Sequence, residues 1–224
     1  INQGAPQVAY KEALTTSVEH KEVYKKQTGG RGKFADIVFE LGPQDDESKV
    51  GLEFDNAIVG GVIPKEFIPS VQKGFESAMV NGPLAGYPVE AMKVRLFHGS
   101  FHDVDSDALS FELAARLGFK EAAKKANPVL MEPIMGVEVT TPDEFTGSVT
   151  GDLNRRRGIM KGMEVKGNAQ IIKADVPLAE LFGYVTDLRT ITSGRAAATL
   201  MFSHYEKVPK SLAESIIEKI KGVA

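Results

Sequence analysis

Four side chains of the types that bind metals or move protons lie close together in the sequence: His98, His102, Asp103 and Asp105. Histidine and aspartate at such spacing can ligate a metal ion or act as acid and base. The stretch is predicted to be a strand end followed by a loop, where successive side chains point in opposite directions, so His102 and Asp103 would diverge. No second set of ligands is identifiable elsewhere in the sequence. We therefore expect no catalytic residue and no metal ligand, and keep a metal-dependent enzyme as the remote alternative.

Three consecutive arginines, Arg155, Arg156 and Arg157, form the second group of interest. Guanidinium groups match phosphate oxygens in pairs, so a row of three before Gly158 favours a phosphate-binding surface over catalysis. A run of charges at a helix end is just as often a solvated face. The sequence leaves these two interpretations equally open.

A third group lies within residues 20–33, where five cations accompany a single acid, Glu22, for a local charge of +4. The cations are Lys21, Lys25, Lys26, Arg31 and Lys33. The whole chain, by contrast, carries a net charge of −3. Compact basic clusters on a mildly acidic protein indicate local contact with a polyanion rather than a general affinity for nucleic acid.

The sequence also lacks the features of several classes of protein. It has no cysteine, which excludes disulfide and thiol chemistry. It has no phosphate-binding loop, because Asp152 behind the nearest candidate, Gly147-Ser-Val-Thr-Gly151, would repel phosphate. We therefore expect no cofactor in this chain and no enzymatic activity of its own. No apolar run is long enough to span a bilayer and no signal peptide is recognisable, and the first residue, Ile1, suggests a chain cut from a longer one.

The alternation of apolar and polar residues predicts strands, and apolar residues at helical spacing predict helices, in the first half of the chain. These elements would position the groups described above. They are strands at 14–18, 23–24, 34–41 and 52–58, a helix from Pro64 to about residue 80, a strand over 88–101 and a helix from about 105 to 127. Asp105 or Ser106 is expected to cap this last helix. Its apolar residues occupy more than one face, which predicts that it is largely buried; they are Leu109, Phe111, Leu113, Leu117 and Phe119.

A domain boundary is predicted at Asn127-Pro128, because proline stops the preceding helix. Beyond it the predicted order is strand 134–140, helix 142–156, strands 160–166 and 170–176, helix 178–190 and strand 196–202. This is the split β-α-β order of a ferredoxin-like domain. A final amphipathic helix follows Pro209 and is expected to pack back on the first domain.

Nine sequence motifs then follow one another along the chain. They are Val8-Ala-Tyr10, Gln27-Thr-Gly-Gly-Arg-Gly32, Gly60-Gly-Val-Ile-Pro64, Gly82-Pro-Leu-Ala-Gly-Tyr-Pro88, His102-Asp-Val-Asp-Ser106, Pro128-Val-Leu-Met-Glu-Pro-Ile134, Gly151-Asp-Leu-Asn-Arg-Arg-Arg-Gly158, Pro177-Leu-Ala-Glu-Leu-Phe-Gly-Tyr184 and Leu188-Arg-Thr-Ile-Thr-Ser-Gly-Arg195. In this order and at this spacing they resemble the fourth and fifth domains of elongation factor G, over essentially the whole chain.

The resemblance implies an α+β fold in two domains. Residues 1–128, completed by a C-terminal helix at 209–224, would form the elongated domain IV with a left-handed β-α-β crossover, and residues 129–205 the ferredoxin-like domain V. The parent protein would be a cytoplasmic, monomeric translational GTPase without membrane contact. Its N-terminal domains, missing here, would bind GTP and Mg²⁺ and hydrolyse the nucleotide.

The resemblance also implies which residues meet RNA. Two loops at the domain IV tip would enter the decoding region of the small ribosomal subunit and contact the tRNA–mRNA duplex during translocation. The matching residues are Gln27, Thr28, Gly29, Gly30 and Arg31 in one loop and His102, Asp103, Val104 and Asp105 in the other. Further contacts with ribosomal RNA would come from Lys25, Lys26, Arg155, Arg156 and Arg157, and domain V would lie near the RNA of the large subunit.

Two positions depart from the commonest family pattern: Asn154 and Thr28 stand where serine is frequent, and both keep a short polar side chain. The departures leave the subtype open. A paralogous ribosome-bound GTPase, acting in ribosome recycling or ribosome protection, is therefore the alternative to a translocation factor.

Overall fold

Two β-sheets, each with its own helices, organise the chain. The computed structural model describes residues 8–27, 29–46 and 49–222. These residues divide into two units. The first unit contains residues 11–130 and 208–222, and the second contains residues 8–10 and 131–207. The two-domain α+β class expected from the sequence is confirmed.

The first unit is built on a four-stranded sheet with the order β2-β3-β5-β4. Its elements are β1 (Lys11–Ala13), β2 (Val18–Lys26), β3 (Lys33–Pro43), β4 (Leu52–Asn56), α1 (Ile68–Ala78), β5 (Met92–Ser100) and α2 (Ala108–Lys125). β3 is antiparallel to both β2 and β5, whereas β4 and β5 are parallel. Because α1 connects this parallel pair, the three elements form a β-α-β unit.

Helices α1 and α2 cover one face of this sheet. Alternate residues of β3 point into the core, where Ile37 and Phe39 are fully buried, and Phe39 packs edge-on against Phe75 of α1. The face of α2 that joins this core carries aromatic and small residues, namely Phe111, Ala114, Ala115, Gly118, Phe119, Ala122 and Ala123. The prediction that α2 is apolar and buried on several faces is therefore wrong: Leu109 and Leu117 are 53% and 44% exposed. Small residues rather than leucines line the contact because they let the helix approach its neighbours closely.

The second unit contains antiparallel strands that neighbour one another in the order β9-β6-β8-β7. Its elements are β6 (Val129–Pro142), α3 (Thr146–Arg155), β7 (Ile159–Lys166), β8 (Ala169–Pro177), α4 (Tyr184–Ile191) and β9 (Ala197–Lys207). Alternate residues of β8, Ile172, Ala174 and Val176, form a core with Leu153 of α3 and Leu188 of α4. The predicted ferredoxin-like order of elements is confirmed.

Several predicted boundaries move in the structure. The strand predicted over 14–18 is absent before Val18, because the N–H groups of Thr15 and Thr16 donate to the carbonyl of Ala126 at 3.0 and 3.1 Å instead of to a strand. Short 3₁₀ turns, Lys65–Phe67, Asp143–Phe145 and Leu178–Glu180, precede the helices predicted to begin at those points. The last helix, α5 (Lys210–Ile220), belongs to the first unit.

Candidate nucleic-acid interface

The two loops singled out in the sequence lie side by side at one end of the first unit. Loop A, residues 27–32, connects β2 to β3, which pair in register up to Lys26 and Lys33. Loop B, residues 101–107, follows β5, whose last residue, Ser100, pairs with Asp36 near the start of β3. Because β3 begins where β5 ends, the sheet itself brings the two loops together.

Loop B accepts hydrogen bonds from loop A and from the start of β3. The Nε group of Arg31 donates to the carbonyl of Val104 at 2.7 Å. The N–H of Gly32 donates to Oδ1 of Asp105 at 3.2 Å, and the N–H of Phe34 donates to the carbonyl of Asp105 at 2.9 Å. Arg31 and Asp105 are therefore engaged in joining the loops, in addition to any contact they make with a ligand.

Ser106 lies beneath these contacts and is buried. Its hydroxyl donates to the carbonyl of Phe34 at 2.7 Å and accepts from the N–H of His102 at 2.9 Å. The N–H of Ser106 in turn donates to the carbonyl of His102 at 3.0 Å. From the sequence, Ser106 is a candidate helix cap only; in the structure its hydroxyl holds loop B against β3.

The imidazole of His102 stacks on the ring of Phe34, with centroids 3.8 Å apart and parallel planes. Its Nδ1 lies 4.0 Å from Oδ2 of Asp105, and its side chain remains 52% exposed. The ring is thus supported on one face while solvent reaches the rest of it. The sequence pattern predicts Phe34 only as a strand residue and does not indicate that its ring supports the imidazole.

The outer surface of the two loops exposes backbone atoms as well as side chains to solvent. Gly29 and Gly30 have φ angles of 27° and 132°, and no atom lies within 4 Å of the place a Cβ would take. Such φ angles favour glycine, and bare backbone allows a close approach by another molecule. Further exposed residues of this surface are Lys25, Lys26, Gln27, Asp103 and Val104. Thr28 lies outside the described residues.

The cap of α2 is Asp107, which corrects the prediction of Asp105 or Ser106. Oδ1 of Asp107 accepts from the N–H of Ser110 at 2.7 Å, and its other oxygen pairs with the ammonium of Lys33. Burial acts to raise the pKa of this carboxyl, but the hydrogen bonds from Lys33 and Ser110 and the charge of Lys33 outweigh it and lower the pKa to about 2. Since Lys33 begins β3, this pair also fixes loop A to the helix.

Two of the three consecutive arginines are engaged inside the second unit. The guanidinium of Arg157 donates to both carboxylate oxygens of Glu132, at 3.0 and 2.9 Å, and to Glu180 at 3.1 Å. These hydrogen bonds, that to Glu132 first, outweigh burial and raise the pKa of Arg157. Glu132 is buried, so its charge requires this partner.

Arg156 is held in a similar way. Its Nε donates to Asp152 at 3.0 Å, its Nη1 donates to the carbonyl of Glu180 at 2.6 Å, and its guanidinium lies over the ring of Tyr184. Arg155 pairs with Asp152 but keeps 75% of its side chain exposed. Of the row of three, Arg155 is therefore the arginine whose guanidinium is open to an external phosphate.

The residues first considered for metal chemistry do not converge. Among residues 8–27, 29–46 and 49–222, no three His, Asp or Glu side chains lie close enough together to hold a metal ion. His98 is exposed on β5 opposite Val38, whereas His102 stacks on Phe34 in loop B. The two histidines therefore do not share one set of ligands.

In the part of the chain that the structure describes, no helix has both the length and the apolar character needed to cross a membrane.

Comparison with known proteins identifies the family. The sequence-family model of elongation factor G, domain IV, matches residues 6–127, and the family model of the elongation factor G C-terminus matches residues 129–216. The chain belongs to the elongation factor G family. The resemblance inferred from the nine motifs is thereby confirmed, and the fold of the first unit is that of domain IV.

Individual relatives agree with the family models. Elongation factor G of Amoebophilus asiaticus is 80% identical over the whole chain, and that of Cytophaga hutchinsonii is 77% identical. Elongation factor G of Salinibacter ruber is 56% identical over 97% of the chain. A crystal structure from Thermus thermophilus superimposes with a TM-score of 0.88 at 40% identity, covering 99% of this chain and 33% of that one. The chain spans about a third of the length of these curated relatives, 32%, 32% and 31%.

Proposed function

We propose that this chain is the ribosome-binding part of a translation elongation factor that promotes GTP-dependent translocation of tRNA and mRNA. Loops A and B would enter the decoding region of the small subunit and contact the tRNA–mRNA duplex. The observation that carries this proposal is the double attachment of the tip: Arg31 joins loop A to Val104, and Ser106 joins loop B to Phe34.

A tip fastened in this way can act mechanically. An element that prevents RNA from slipping back must resist displacement, and the hydrogen bonds of Asp105 and Ser106 lie behind the exposed surface, where RNA would not disturb them. In front of them, the bare backbone at Gly29 and Gly30 allows phosphates or bases to approach closely. The exposed part of His102 can hydrogen-bond or stack with a base.

The remaining partners follow from the same proposal. GTP and Mg²⁺ would be bound and hydrolysed by N-terminal domains of a longer, monomeric, cytoplasmic parent, and this chain would supply binding only. Lys25 and Lys26 beside loop A, and Arg155 on the second unit, would meet ribosomal RNA of the small and large subunits. Because Arg156 and Arg157 are engaged by acidic residues, we assign them a structural role instead.

The test is single-turnover translocation with a full-length parent carrying Arg31→Ala and His102→Ala, with GTP hydrolysis followed in parallel. Loss of a charged hydrogen bond, about 1.5–3 kcal/mol, predicts translocation slower by about tenfold or more, with hydrolysis retained. His98→Ala and Arg189→Ala, both at exposed positions outside the tip, are the matched controls. Unchanged translocation would sink the assignment and favour the paralogue that acts in ribosome recycling or protection.

A further inference from the structure

A second basic surface lies on the first unit, away from the tip. A groove of about 500 Å³ opens between the end of α1 and the C-terminal half of α2. Ala78, Asn81 and Pro83 line one side, and buried Phe119 lines the other. The groove belongs to the helical layer and begins nine residues after the cap of α2, which places it about 14 Å from the tip along the helix axis.

Every charged residue that lines the groove is a cation: Arg116, Lys120 and Lys124. They recur at i, i+4 and i+8 and therefore form one row, with a rise of about 6 Å between neighbours. Two acids of α2 lie close to the cations: Glu112, one turn before Arg116 in the same row, is 3.7 Å from it, and Glu121 is 3.7 Å from Lys124. The buried carboxylate of Glu12 lies behind Gly82 on the other side of the groove. Among the described residues, Lys120 forms no ion pair.

Folding alone does not account for this row. Like charges at i, i+4 destabilise a helix by a few tenths of a kcal/mol per pair. Exposed ion pairs such as that of Arg116 add little to the stability of the fold. The helix dipole favours a cation in the last turn, which explains Lys124, and the i,i+4 pair with Glu112 stabilises the helix at Arg116. Neither effect explains Lys120. The row is the kind of arrangement whose repulsion an external polyanion would relieve.

The partner that fits is a strand of regularly spaced negative charges with a partly apolar inner side. We propose that this groove binds a stretch of ribosomal RNA backbone, a second RNA contact separate from loops A and B. This inference rests on the proposed function. The three cations would each meet a phosphate, while the amide of Asn81 would reach ribose hydroxyls and Pro83 would contact a sugar face.

The test measures binding of the 224-residue chain to ribosomes as a function of salt. The groove variant carries Arg116→Gln, Lys120→Gln and Lys124→Gln. A control variant of the same unit, Lys210→Gln with Lys219→Gln and Lys221→Gln, loses the same charge at exposed sites of α5 and the residue after it. We expect the slope of log affinity against log salt to become shallower by about 2 to 3 in the groove variant, and to stay unchanged in the control.

Further variants and a crosslinking experiment distinguish the possible outcomes. Lys120→Gln alone, at an exposed unpaired site, should reduce the slope by about 0.7 to 0.9 even if the triple variant fails to fold. A photo-activatable residue at position 120 should yield RNA adducts, and adducts with ribosomal protein alone would overturn the proposal. The tip variants Arg31→Ala and His102→Ala are measured in the same assay. If they weaken binding while the groove variants do not, only the groove is refuted; if neither set weakens it, the proposed function fails as well.

Discussion

His102 and Phe34 stack in parallel at 3.8 Å where loops A and B of the tip meet. The pair joins a residue that follows β5 to the second residue of β3, so the orientation of an exposed imidazole is set by the central strands of the sheet. His102 is also held through its backbone, since its N–H donates to the hydroxyl of Ser106. The tip is therefore an extension of the sheet, with a defined surface before any ligand arrives.

Phe34→Ala should release the imidazole without touching its chemistry. A stacked pair contributes about 0.5–1.5 kcal/mol beyond area burial, so we expect the ring protons of His102 to lose their ring-current shift in NMR spectra. Translocation by a full-length parent should slow while GTP hydrolysis persists. Phe34→Tyr retains the ring and is the control. Unshifted His102 signals in Phe34→Ala would show that the stack does not hold the imidazole.

Lowering the pH should weaken the first unit through Asp107. Its pKa lies near 2 in the folded protein, below the ordinary value of 3.8, so ionised Asp107 stabilises the fold above about pH 4. That contribution is lost as the pH falls from about 4 towards 2. Asp107→Asn keeps an N-cap acceptor but does not titrate, so its thermal midpoint should fall less steeply across this interval than that of the unmodified chain. Parallel curves would contradict the role of the Asp107–Lys33 pair.

The order of elements could be predicted because each pattern is local. In β8, inward residues such as Ile172 and Ala174 alternate, and in α1 buried residues recur at helical spacing. The strand predicted at 14–18 failed for a non-local reason: the β propensity of Thr15 and Thr16 competes with hydrogen bonds to Ala126, more than a hundred positions away.

The candidate site likewise combines features that neighbouring residues indicate with features that depend on residues distant in sequence. Residues adjacent in sequence predicted that loops A and B are loops, and the family resemblance placed both at the tip. The hydroxyl of Ser106 bonds Phe34 across 72 positions, and the partners of Arg157 lie 23 and 25 positions away. Spacing along the sequence does not indicate such distant pairs. The three consecutive arginines could therefore be interpreted as one phosphate-binding surface, whereas in the structure one is exposed and two are paired with acidic residues.

Removing the guanidinium of Arg157 should destabilise the second unit strongly. Arg157→Ala leaves the buried carboxylate of Glu132 without its paired donors, which costs about 2–4 kcal/mol after allowing for the partial exposure of the arginine. Arg155→Ala, at an exposed site, should change the free energy of unfolding by less than about 0.5 kcal/mol. Urea unfolding followed by NMR signals of each unit measures both.

Adding Glu132→Gln to Arg157→Ala tests whether the unpaired carboxylate of Glu132 causes the loss of stability. A neutral amide leaves no buried charge, so the double variant should recover part of the loss. Equal stability of the single and double variants would mean that lost packing by Arg157, rather than the unpaired Glu132 carboxylate, causes the effect.

Two glycines in helices should respond to alanine with opposite signs. A Cβ at Gly74 of α1 would lie 2.5 Å from the carbonyl oxygen of Glu112 and 2.6 Å from Cβ of Ala115. Gly74→Ala should therefore destabilise the first unit by about 1–3 kcal/mol, despite the better helix propensity of alanine. Gly151 of α3 has no atom within 4 Å of its Cβ position, so Gly151→Ala should stabilise the second unit by about 0.5–1 kcal/mol. Thermal unfolding of each variant decides the signs, and an unchanged midpoint for Gly74→Ala would mean that α1 and α2 separate at little cost.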